Sequence, residues 1–518
     1  MNAHPTKEML ITEAARHLQE IEARPEALKP KDRLKIPTQA MPAQDPAVRR
    51  GNIEEVAQGY SPEQARLEAL RCFQCKNAPC VAGCPVRIDI PGFVRAIAEG
   101  HVKQAIDIIK LNSLLPSVCG RVCPQEVQCQ ATCTVGRALK DVGQAVSIGR
   151  LERFAADWER AQGAPDIPPV KPPTGKKVAV IGSGPAGITV AADVRREGHA
   201  VTLFEAFHKP GGVMVYGIPE FRLPKLIVQK EIDTLTTMGV KLVTNFVVGR
   251  TRTLQDLLDK DGFDAVFIGT GAGLPKFMNI EGENLVGVFS ANEYLTRANL
   301  MRAYDFGHAQ TPIFRSHKVA VLGGGNVAMD SARMAVRLGA EEVHLVYRRT
   351  EVEMPARVEE VAHAKEEGIV FHLLQNAKRI LGNEQDCVTG MECLKYQLGE
   401  PDTSGRRRPV EIPGSEFVMP VDTVIVAIGN ESNPLIKQTT TGLETDKWGH
   451  ITVDANGKTS SAMLSFLFAW VSLQLGFSLP QQNFLALAEI RGGLTDEFVQ
   501  RRRIWLAVHD GIGIAAGT

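Results

Sequence analysis

Two glycine-rich fingerprints constrain the fold of this 518-residue chain more than any other feature. The first stretch, "KKVAVIGSGPAGITVAADVRREGHAVTLFEA" (Lys176–Ala206), reads as an apolar strand, a glycine loop, a helix and a second strand. A lone Gly-x-Gly-x-x-Gly is weak evidence, but this order of elements with a terminal acid predicts a dinucleotide-binding fold. The candidate FAD- or NAD-binding residues are Gly182, Gly184, Gly187 and Glu205. The glycines would let the loop backbone approach a pyrophosphate, and Glu205 would accept a hydrogen bond from a ribose hydroxyl.

A second copy of the fingerprint lies at "HKVAVLGGGNVAMDSARMAVRLGAEEVHLVYRRT" (His317–Thr350). Its loop residues are Gly323, Gly325 and Ala328, and its second strand ends in Arg348 and Arg349 instead of an acid. Two guanidinium groups at the place of a ribose-binding carboxylate favour a 2′-phosphate, and hence NADP(H) over NAD(H). The alternative is that the two arginines only cap an exposed strand end.

The order of the two copies predicts one nucleotide fold inserted in another. Strand-to-glycine stretches follow each copy, at "DAVFIGTGA" (residues 264–272) and "DTVIVAIGN" (residues 422–430), and provide Gly271 and Gly429 as further cofactor-binding candidates. This layout is typical of reductases in which hydride passes from a nicotinamide in the inner domain to a flavin in the outer one. We therefore expect an α/β protein.

Eight of the ten cysteines are concentrated before these folds, four in "CFQCKNAPCVAGCP" (residues 72–85) and four in "CGRVCPQEVQCQATC" (residues 119–133). Short loops of this kind let several thiolates reach one iron–sulfur cluster. Structural zinc and disulfides are the alternatives, but eight thiols, Pro after two of them and no nearby His favour iron. Cys387 and Cys393 stand alone and are interpreted as ordinary residues.

Composition narrows the class of protein. Lys and Arg total 59, as do Asp and Glu, so no global field attracts nucleic acid or an anionic membrane. The N-terminus lacks the pattern of a secretory signal, so we expect a cytoplasmic protein with two to four domains. The sequence contains no motif for a catalytic nucleophile, an acid–base dyad or a metalloprotease in a context that supports that function. We therefore assign no catalytic side chain.

From about Leu34 to Ser460 the chain resembles the small (beta) subunit of NADPH-dependent glutamate synthase. The same resemblance includes the large subunit of NADH-dependent ferredoxin:NADP oxidoreductase, sulfide dehydrogenase and the amino-terminal part of dihydropyrimidine dehydrogenase. Beside the cysteine pattern, the most specific stretches are "CGRVCP" (residues 119–124), "GGVMVYGIPEFRLPK" (residues 211–225) and "YRRTEVEMPAR" (residues 347–357). The second stretch adds Gly212 to the cofactor-binding candidates.

The resemblance implies a helical iron–sulfur domain followed by two Rossmann-like domains, with the NADP domain inserted in the FAD domain. The expected divisions are an amino-terminal extension that wraps a neighbour or partner (1–50), the helical domain (51–165), the FAD domain (176–300 and 415–460), the NADPH domain (312–414) and an atypical carboxyl end (461–518).

The resemblance also implies two [4Fe–4S] clusters with interleaved ligands. One would be held by Cys72, Cys75, Cys80 and Cys133, and the other by Cys84, Cys123, Cys129 and Glu152. Cys119 would then be a spare thiol. The alternative for Glu152 is an ordinary surface glutamate on a helix.

In this family NADPH reduces FAD by hydride transfer, and the flavin passes single electrons to the clusters. The resemblance thus implies an electron-input subunit that needs a large glutamate synthase subunit or another redox partner, and we expect an oligomer. Two alternatives stay open, namely the large subunit of a flavin-bifurcating oxidoreductase and a non-catalytic iron–sulfur scaffold with a decayed flavin site.

The carboxyl end departs from the family pattern. After Thr459 and Ser460 the expected Gly-Asp pair that would contact the flavin is missing, and residues 459–488 contain no charged side chain. A membrane anchor, a different buried ending and a shifted reading frame compete as explanations. We favour the shifted frame, because the pattern is lost abruptly and does not return.

Overall fold

The computed structural model describes residues 5–163, 167–401, 405–454, 457–460 and 467–469. These residues form two compact units. The first comprises the described parts of 1–49 and 54–167 together with 220–231, and the second comprises 50–53, 168–219 and the described residues from 232 onward. The first unit is helical and the second contains parallel sheets with helices, which confirms the predicted α/β fold class.

Most helices of the first unit are short, and several begin at proline. They are α1 (Lys7–Glu22), α2 (Pro30–Arg33), α3 (Pro46–Arg49), α4 (Pro62–Leu70), α5 (Pro79–Gly83), α6 (Ile90–Ala98), α7 (Val102–Lys110), α8 (Pro116–Val122), α9 (Thr134–Leu139) and α10 (Ile148–Ala161).

The first fifty residues belong to this helical unit. Helix α1 buries Ala14 and Leu18 in a small core shared with Ile36 and with Leu67 of α4. Burial of such apolar side chains stabilises a helix that its own propensity would leave marginal. The segment expected to be an extension is therefore packed against its own unit through these residues.

Two features of the helical unit bring the cysteines together. A capping box at Ser61 and Gln64 starts α4, and this helix ends at Leu70, with only its C-cap Arg71 before Cys72. Helices α8 and α10 approach closely at Gly120, where a Cβ atom would lie 2.5 Å from the backbone nitrogen of Arg153. The loop after α8 is thereby held beside α10, the helix that carries Glu152.

The strands of the second unit follow the order expected for two nucleotide folds. They are β1 (Lys177–Ile181), β2 (Ala200–Phe204), β3 (Lys241–Val243), β4 (Ala265–Ile268), β5 (Leu274–Pro275), β6 (Val288–Ser290), β7 (Lys318–Leu322), β8 (Glu342–Tyr347), β9 (Val370–Leu373), β10 (Gln375–Gly382), β11 (Val388–Pro401), β12 (Arg407–Glu411), β13 (Phe417–Met419), β14 (Thr423–Val426), β15 (Asn430–Glu431) and β16 (Leu467–Ala469).

The remaining helices connect these strands, apart from short 3₁₀ turns. They are α11 (Pro185–Arg196), α12 (Val213–Tyr216), α13 (Lys225–Thr237), α14 (Leu254–Asp259), α15 (Ala291–Asn299), α16 (Asn326–Arg337), α17 (Val358–Glu366) and α18 (Leu435–Gln438).

Each glycine fingerprint lies at the centre of its own parallel sheet. The first sheet has the strand order β16-β4-β1-β2-β3 and the second has β6-β14-β7-β8-β9. Strands β1 and β7 carry the apolar runs that lead into the glycine loops, and both are buried beyond their first residue. Because parallel strands are covered on both faces, near-continuous apolar runs are what such strands need.

The strand pairing differs from the predicted division at two points. Residues 288–290 (β6) and 423–426 (β14) were expected in the FAD-domain segments, but β14 pairs with both β6 and β7 in the second sheet. All four residues of β14 are buried, as expected for an inner strand of this sheet. An antiparallel arrangement of β10 to β13 lies between β9 and β14 in the chain.

The carboxyl end contributes only one described element after Ser460. Strand β16 pairs with β4 and extends the first sheet. The predicted membrane anchor, alternative ending and shifted frame of residues 461–518 otherwise lie outside the described residues. Among the residues that are described, no helix combines the length and apolarity required to cross a membrane.

A buried ionic cluster joins α16 to α17. Glu367 accepts hydrogen bonds from Arg333 (Nη2 to Oε1, 2.7 Å) and Arg337 (Nη1 to Oε2, 2.6 Å), and Arg333 also pairs with Glu360. Burial alone would raise the pKa of Glu367, but the two guanidinium groups outweigh it and hold the pKa far below the ordinary value of 4.5.

We expect Glu367→Gln to destabilise the second unit at pH 7 by about 3–5 kcal/mol, because it leaves buried arginines without their counter-charge. The depressed pKa means that the contribution of Glu367 is present above about pH 4.5 and is lost as the pH falls further. Urea unfolding at pH 7 and at a pH well below 4 measures this difference, and Glu384→Gln in an exposed loop removes the same charge as a control. Equal destabilisation at pH 7 and at a pH well below 4 would contradict the assignment.

Candidate functional site

The two glycine loops open into a single cavity of about 1130 Å³ within the second unit. Most of the predicted nucleotide-binding residues line it, namely Gly182, Gly184, Glu205, Gly212, Gly271, Gly323, Gly325, Arg348, Arg349 and Gly429. The other two predicted residues, Gly187 and Ala328, lie in the first turns of α11 and α16. The cavity therefore joins the two candidate phosphate-binding loops in one space.

The first loop depends on close backbone approach. A Cβ atom on Gly187 would lie 1.8 Å from the carbonyl oxygen of Gly182, so no other residue fits there without moving the loop. Gly212 adopts φ +55°, and a Cβ atom on it would lie 2.6 Å from the Cα of Gly184. These contacts keep the loop compact and leave the backbone N–H groups at the start of α11 accessible to a pyrophosphate.

Glu205 lies at the end of β2, as predicted, and is buried. Its Oε2 accepts hydrogen bonds from the backbone nitrogen (3.1 Å) and hydroxyl of Ser183, and its Oε1 accepts from the Phe207 nitrogen at 2.8 Å. The Ser183 hydroxyl also accepts from Gly211 N–H at 2.9 Å. The carboxylate is thus fixed against the glycine loop, in the position that suits a ribose hydroxyl.

The two predicted phosphate-binding arginines differ in their surroundings. Arg349 donates from Nε to the Arg407 carbonyl oxygen at 2.8 Å, which fixes its orientation. Arg348 is exposed and lines the cavity. Its charge is therefore accessible to an anionic ligand.

Sequence reasoning missed Arg406 and Tyr347. Arg406 Nη2 donates to the Tyr347 hydroxyl at 3.3 Å and to the Glu353 carbonyl oxygen at 2.8 Å, and it lines the same cavity. It comes from the connection between β11 and β12, far along the chain from the second fingerprint. No local pattern marks it, but the run "GRRRP" (residues 405–409) is a concentration of positive charge that could have been noted.

Asn326 is a further residue at the second loop that sequence reasoning missed. It is the first residue of α16, and its Oδ1 accepts a hydrogen bond from the Arg357 backbone nitrogen at 2.9 Å. Its Nδ2 is buried at the cavity wall without a hydrogen-bond partner among the described residues. Buried amide groups normally have partners, so this N–H₂ group fits an acceptor supplied by a ligand.

The first thiol set is brought together as the resemblance implied. Cys72, Cys75, Cys80 and Cys133 line one small cavity, although Cys133 is distant from the others in sequence. Burial, with a smaller contribution from the charges of neighbouring thiolates, raises the pKa of Cys72 to about 11 and that of Cys80 to about 12. Such thiols stay protonated unless a metal replaces the proton.

The second thiol set includes Glu152. Burial, together with nearby charge on Glu152 and Cys119, raises the pKa of Cys84 to about 11. Burial and nearby charge on Cys84 and Glu152 likewise raise the pKa of Cys129. Cys119, interpreted as a spare, also lies here and forms a hydrogen bond with the Cys123 thiol.

Glu152 is not a surface residue, contrary to the alternative interpretation. Its side chain is buried and its Oε1 has no hydrogen-bond partner within the described chain. Burial raises its pKa to about 8. A buried carboxylate that faces several thiols and lacks a partner fits a cluster ligand, because a bound iron would supply the missing positive charge.

All ten cysteines are free thiols, so disulfide bonds are absent among them. Within the described residues, no three His, Cys, Asp or Glu side chains converge closely enough to bind one metal ion. A four-iron cluster does not require its ligands to converge on one ion, because each ligand binds a different iron atom. The chemistry and grouping of the thiols and Glu152 fit such clusters.

A buried charge network holds α8 against α10. Arg121 donates to Glu55 at 2.7 Å and to both oxygens of Asp157 at 2.8 and 2.9 Å. Arg153 donates to the same two acids at 2.9 and 3.2 Å. Because Arg121 lies between Cys119 and Cys123, and Arg153 follows Glu152, this network fixes the second thiol set against its carboxylate.

Comparison with known proteins agrees with both halves of the site. Residues 49–164 match the family described as dihydropyrimidine dehydrogenase domain II, 4Fe-4S cluster. Residues 176–465 match the family described as pyridine nucleotide-disulphide oxidoreductase, which is more than half of the chain.

Individual relatives carry several names. NADPH-Fe(3+) oxidoreductase subunit beta of Geobacter sulfurreducens is 41% identical over 74% of this chain and 56% of its own length. The chain thus spans little more than half of that relative. Glutamate synthase [NADPH] small chains are 37% identical, in Halomonas elongata over 80% of this chain and 87% of the relative, and in Escherichia coli over 78% and 85%. The chain belongs to the family of iron–sulfur pyridine nucleotide oxidoreductases that contains the glutamate synthase small chains.

Proposed function

We propose that this protein oxidises NADPH and delivers the electrons, through FAD and two [4Fe–4S] clusters, to a partner subunit of glutamate synthase type. The observation that carries the proposal is the shared cavity, which is lined both by Gly182 and Gly184 of one nucleotide fold and by Gly323 and Gly325 of the other. Two dinucleotides bound by these loops would meet inside it.

When bound, the flavin would accept a hydride from NADPH, pass its two electrons one at a time to the clusters and release the proton. The residues of this chain would bind and orient these cofactors. Glu205 would hold the flavin ribose, and Arg348 and Arg349 would bind the 2′-phosphate of NADPH, since all three line the cavity. Cys72, Cys75, Cys80 and Cys133 would hold one cluster, and Cys84, Cys123, Cys129 and Glu152 the other.

The share of each relative that is matched favours the glutamate synthase type among the functions that relatives carry. The chain spans 85–91% of three glutamate synthase small chains, but 56% of the Geobacter sulfurreducens protein. Such a small chain would not itself hydrolyse glutamine. A large partner subunit would use the electrons for glutamate formation.

Anaerobic purification followed by visible spectroscopy tests the reductase. We expect bound flavin and iron, flavin bleaching with NADPH, and little change with NADH at the same concentration. A brown, flavin-free protein that is inert to NADPH would favour the non-catalytic scaffold instead.

Reconstitution tests the partner. NADPH-dependent glutamate formation from glutamine and 2-oxoglutarate, after addition of a large glutamate synthase subunit, would support the proposed type. Co-purification with a small subunit that binds flavin and a [2Fe–2S] cluster would favour the bifurcating oxidoreductase.

A further inference from the structure

An open groove of about 670 Å³ adjoins the first thiol set in the helical unit. Cys75, Ala78, Pro79 and Pro91 line both this groove and the cavity that contains the four thiols. Cys75 is only half-buried, whereas Cys80 and Cys133 are buried. One thiol of the first set, Cys75, therefore reaches the surface of the unit in this groove.

The groove carries an excess of positive charge. Lys76, Arg87 and Arg95 line it, and Lys76 and Arg95 are exposed. The one acidic residue in its wall is Asp89, whose Oδ1 already accepts a hydrogen bond from the Gly92 nitrogen at 3.1 Å as the cap of α6. Because the whole chain has zero formal net charge, this excess is local.

The three cations have no counter-charge of their own. None of them forms an ion pair with a residue that the structure describes, whereas the exposed Arg16 and Arg24 of the same unit do. Arg95 instead donates from Nε to Gln74 Oε1 at 3.1 Å. Unpaired cations around one opening attract a surface of opposite charge.

The backbone of the groove is also unusual. Gln74 and Arg87 both adopt φ +55°, a left-handed conformation that non-glycine residues seldom take. Such residues are concentrated at functional sites, where the surrounding structure holds them. Both residues line the groove, and Gln74 directly precedes Cys75.

We propose that this groove docks the acidic face of a redox partner protein and that electrons leave the first cluster there. The inference rests on the proposed function for the presence of the cluster, and it adds where the partner binds and which charge the partner presents. The step itself is an outer-sphere transfer of one electron, in which the reduced cluster is oxidised and the acceptor of the partner is reduced, with no bond made or broken.

The test compares an acidic and a basic electron acceptor. Clusters are reduced with dithionite, the excess is removed, and the protein is mixed anaerobically with the soluble domain of cytochrome b5, which is acidic, or with cytochrome c, which is basic. Haem absorbance reports the rate. Because dithionite bypasses NADPH and flavin, failure of the proposed reductase does not affect this measurement.

The variant is Lys76→Glu/Arg87→Glu, and the control is Lys31→Glu/Lys35→Glu, which makes the same charge change at exposed residues away from the groove. We expect the groove variant to lower the rate with cytochrome b5 about tenfold at low salt and to raise the rate with cytochrome c. The control should change each rate less than twofold. Added salt should reduce the difference in rate between the native protein and the groove variant.

A second measurement needs no electron transfer. Surface plasmon resonance of cytochrome b5 on the oxidised protein should show salt-sensitive binding that the groove variant loses and the control keeps. Equal rates and equal binding for the native protein, the variant and the control would overturn the proposal.

Discussion

Replacing Cys133 with alanine should roughly halve the iron bound per chain. Cys133 lines the same cavity as Cys72, Cys75 and Cys80, and a four-iron cluster normally needs four protein ligands. With only three thiolates left, we expect about half of the iron and acid-labile sulfide to be lost, while the second thiol set keeps its own cluster. Iron and sulfide analysis of anaerobically purified protein, with electron paramagnetic resonance after reduction, measures this loss.

Cys393→Ala is the matched control, because it removes another buried thiol that lies outside both sets. It should leave iron content and the resonance signals unchanged. Full iron content in Cys133→Ala would contradict the grouping of the first set.

Variants of Cys119 and Glu152 test which of these two residues is the fourth ligand of the second cluster. If Glu152 is the fourth ligand, Cys119→Ala should retain the iron and Glu152→Ala should change the resonance signal or lose iron. Both residues lie close to Cys84, so proximity alone does not decide between them. The reverse result would make Cys119 the ligand.

The nucleotide loops could be predicted from sequence because their chemistry is local. Strand, glycine loop and helix are contiguous in the chain, so the residues that must approach a pyrophosphate stand at fixed spacings. The structure accordingly brings Gly182, Gly184, Gly323 and Gly325 to one cavity. The close contact at Gly187 has the same local origin, since its partner is the carbonyl of Gly182.

Other parts depend on contacts between distant segments and were less predictable. Spacing indicated clustered thiols, but only the resemblance paired Cys133 with the first set. The apolar runs of β4 and β14 look alike in sequence, yet β4 pairs in the first sheet and β14 in the second. Arg406 reaches the cavity from an antiparallel strand connection, and no pattern near the fingerprint points to it.

We expect Arg348→Ala to reduce kcat/KM for NADPH about 10- to 100-fold and to leave kcat/KM for NADH nearly unchanged. A charge-assisted hydrogen bond contributes about 1.5–3 kcal/mol, and NADH lacks the 2′-phosphate that would receive it. Most of the loss should appear in KM, because the phosphate is remote from the reacting carbon and is bound equally before and during hydride transfer.

Steady-state reduction of ferricyanide with NADPH and with NADH measures kcat/KM for each nucleotide. Arg408→Ala is the control, because Arg408 is an exposed arginine of β12 that does not line the cavity. Arg349→Ala should give a comparable loss, but it also removes the hydrogen bond to the Arg407 carbonyl, so part of its effect is positional. If Arg348→Ala slowed both nucleotides equally, the arginine would not distinguish them, and the preference for NADPH would have to come from Arg349 or Arg406.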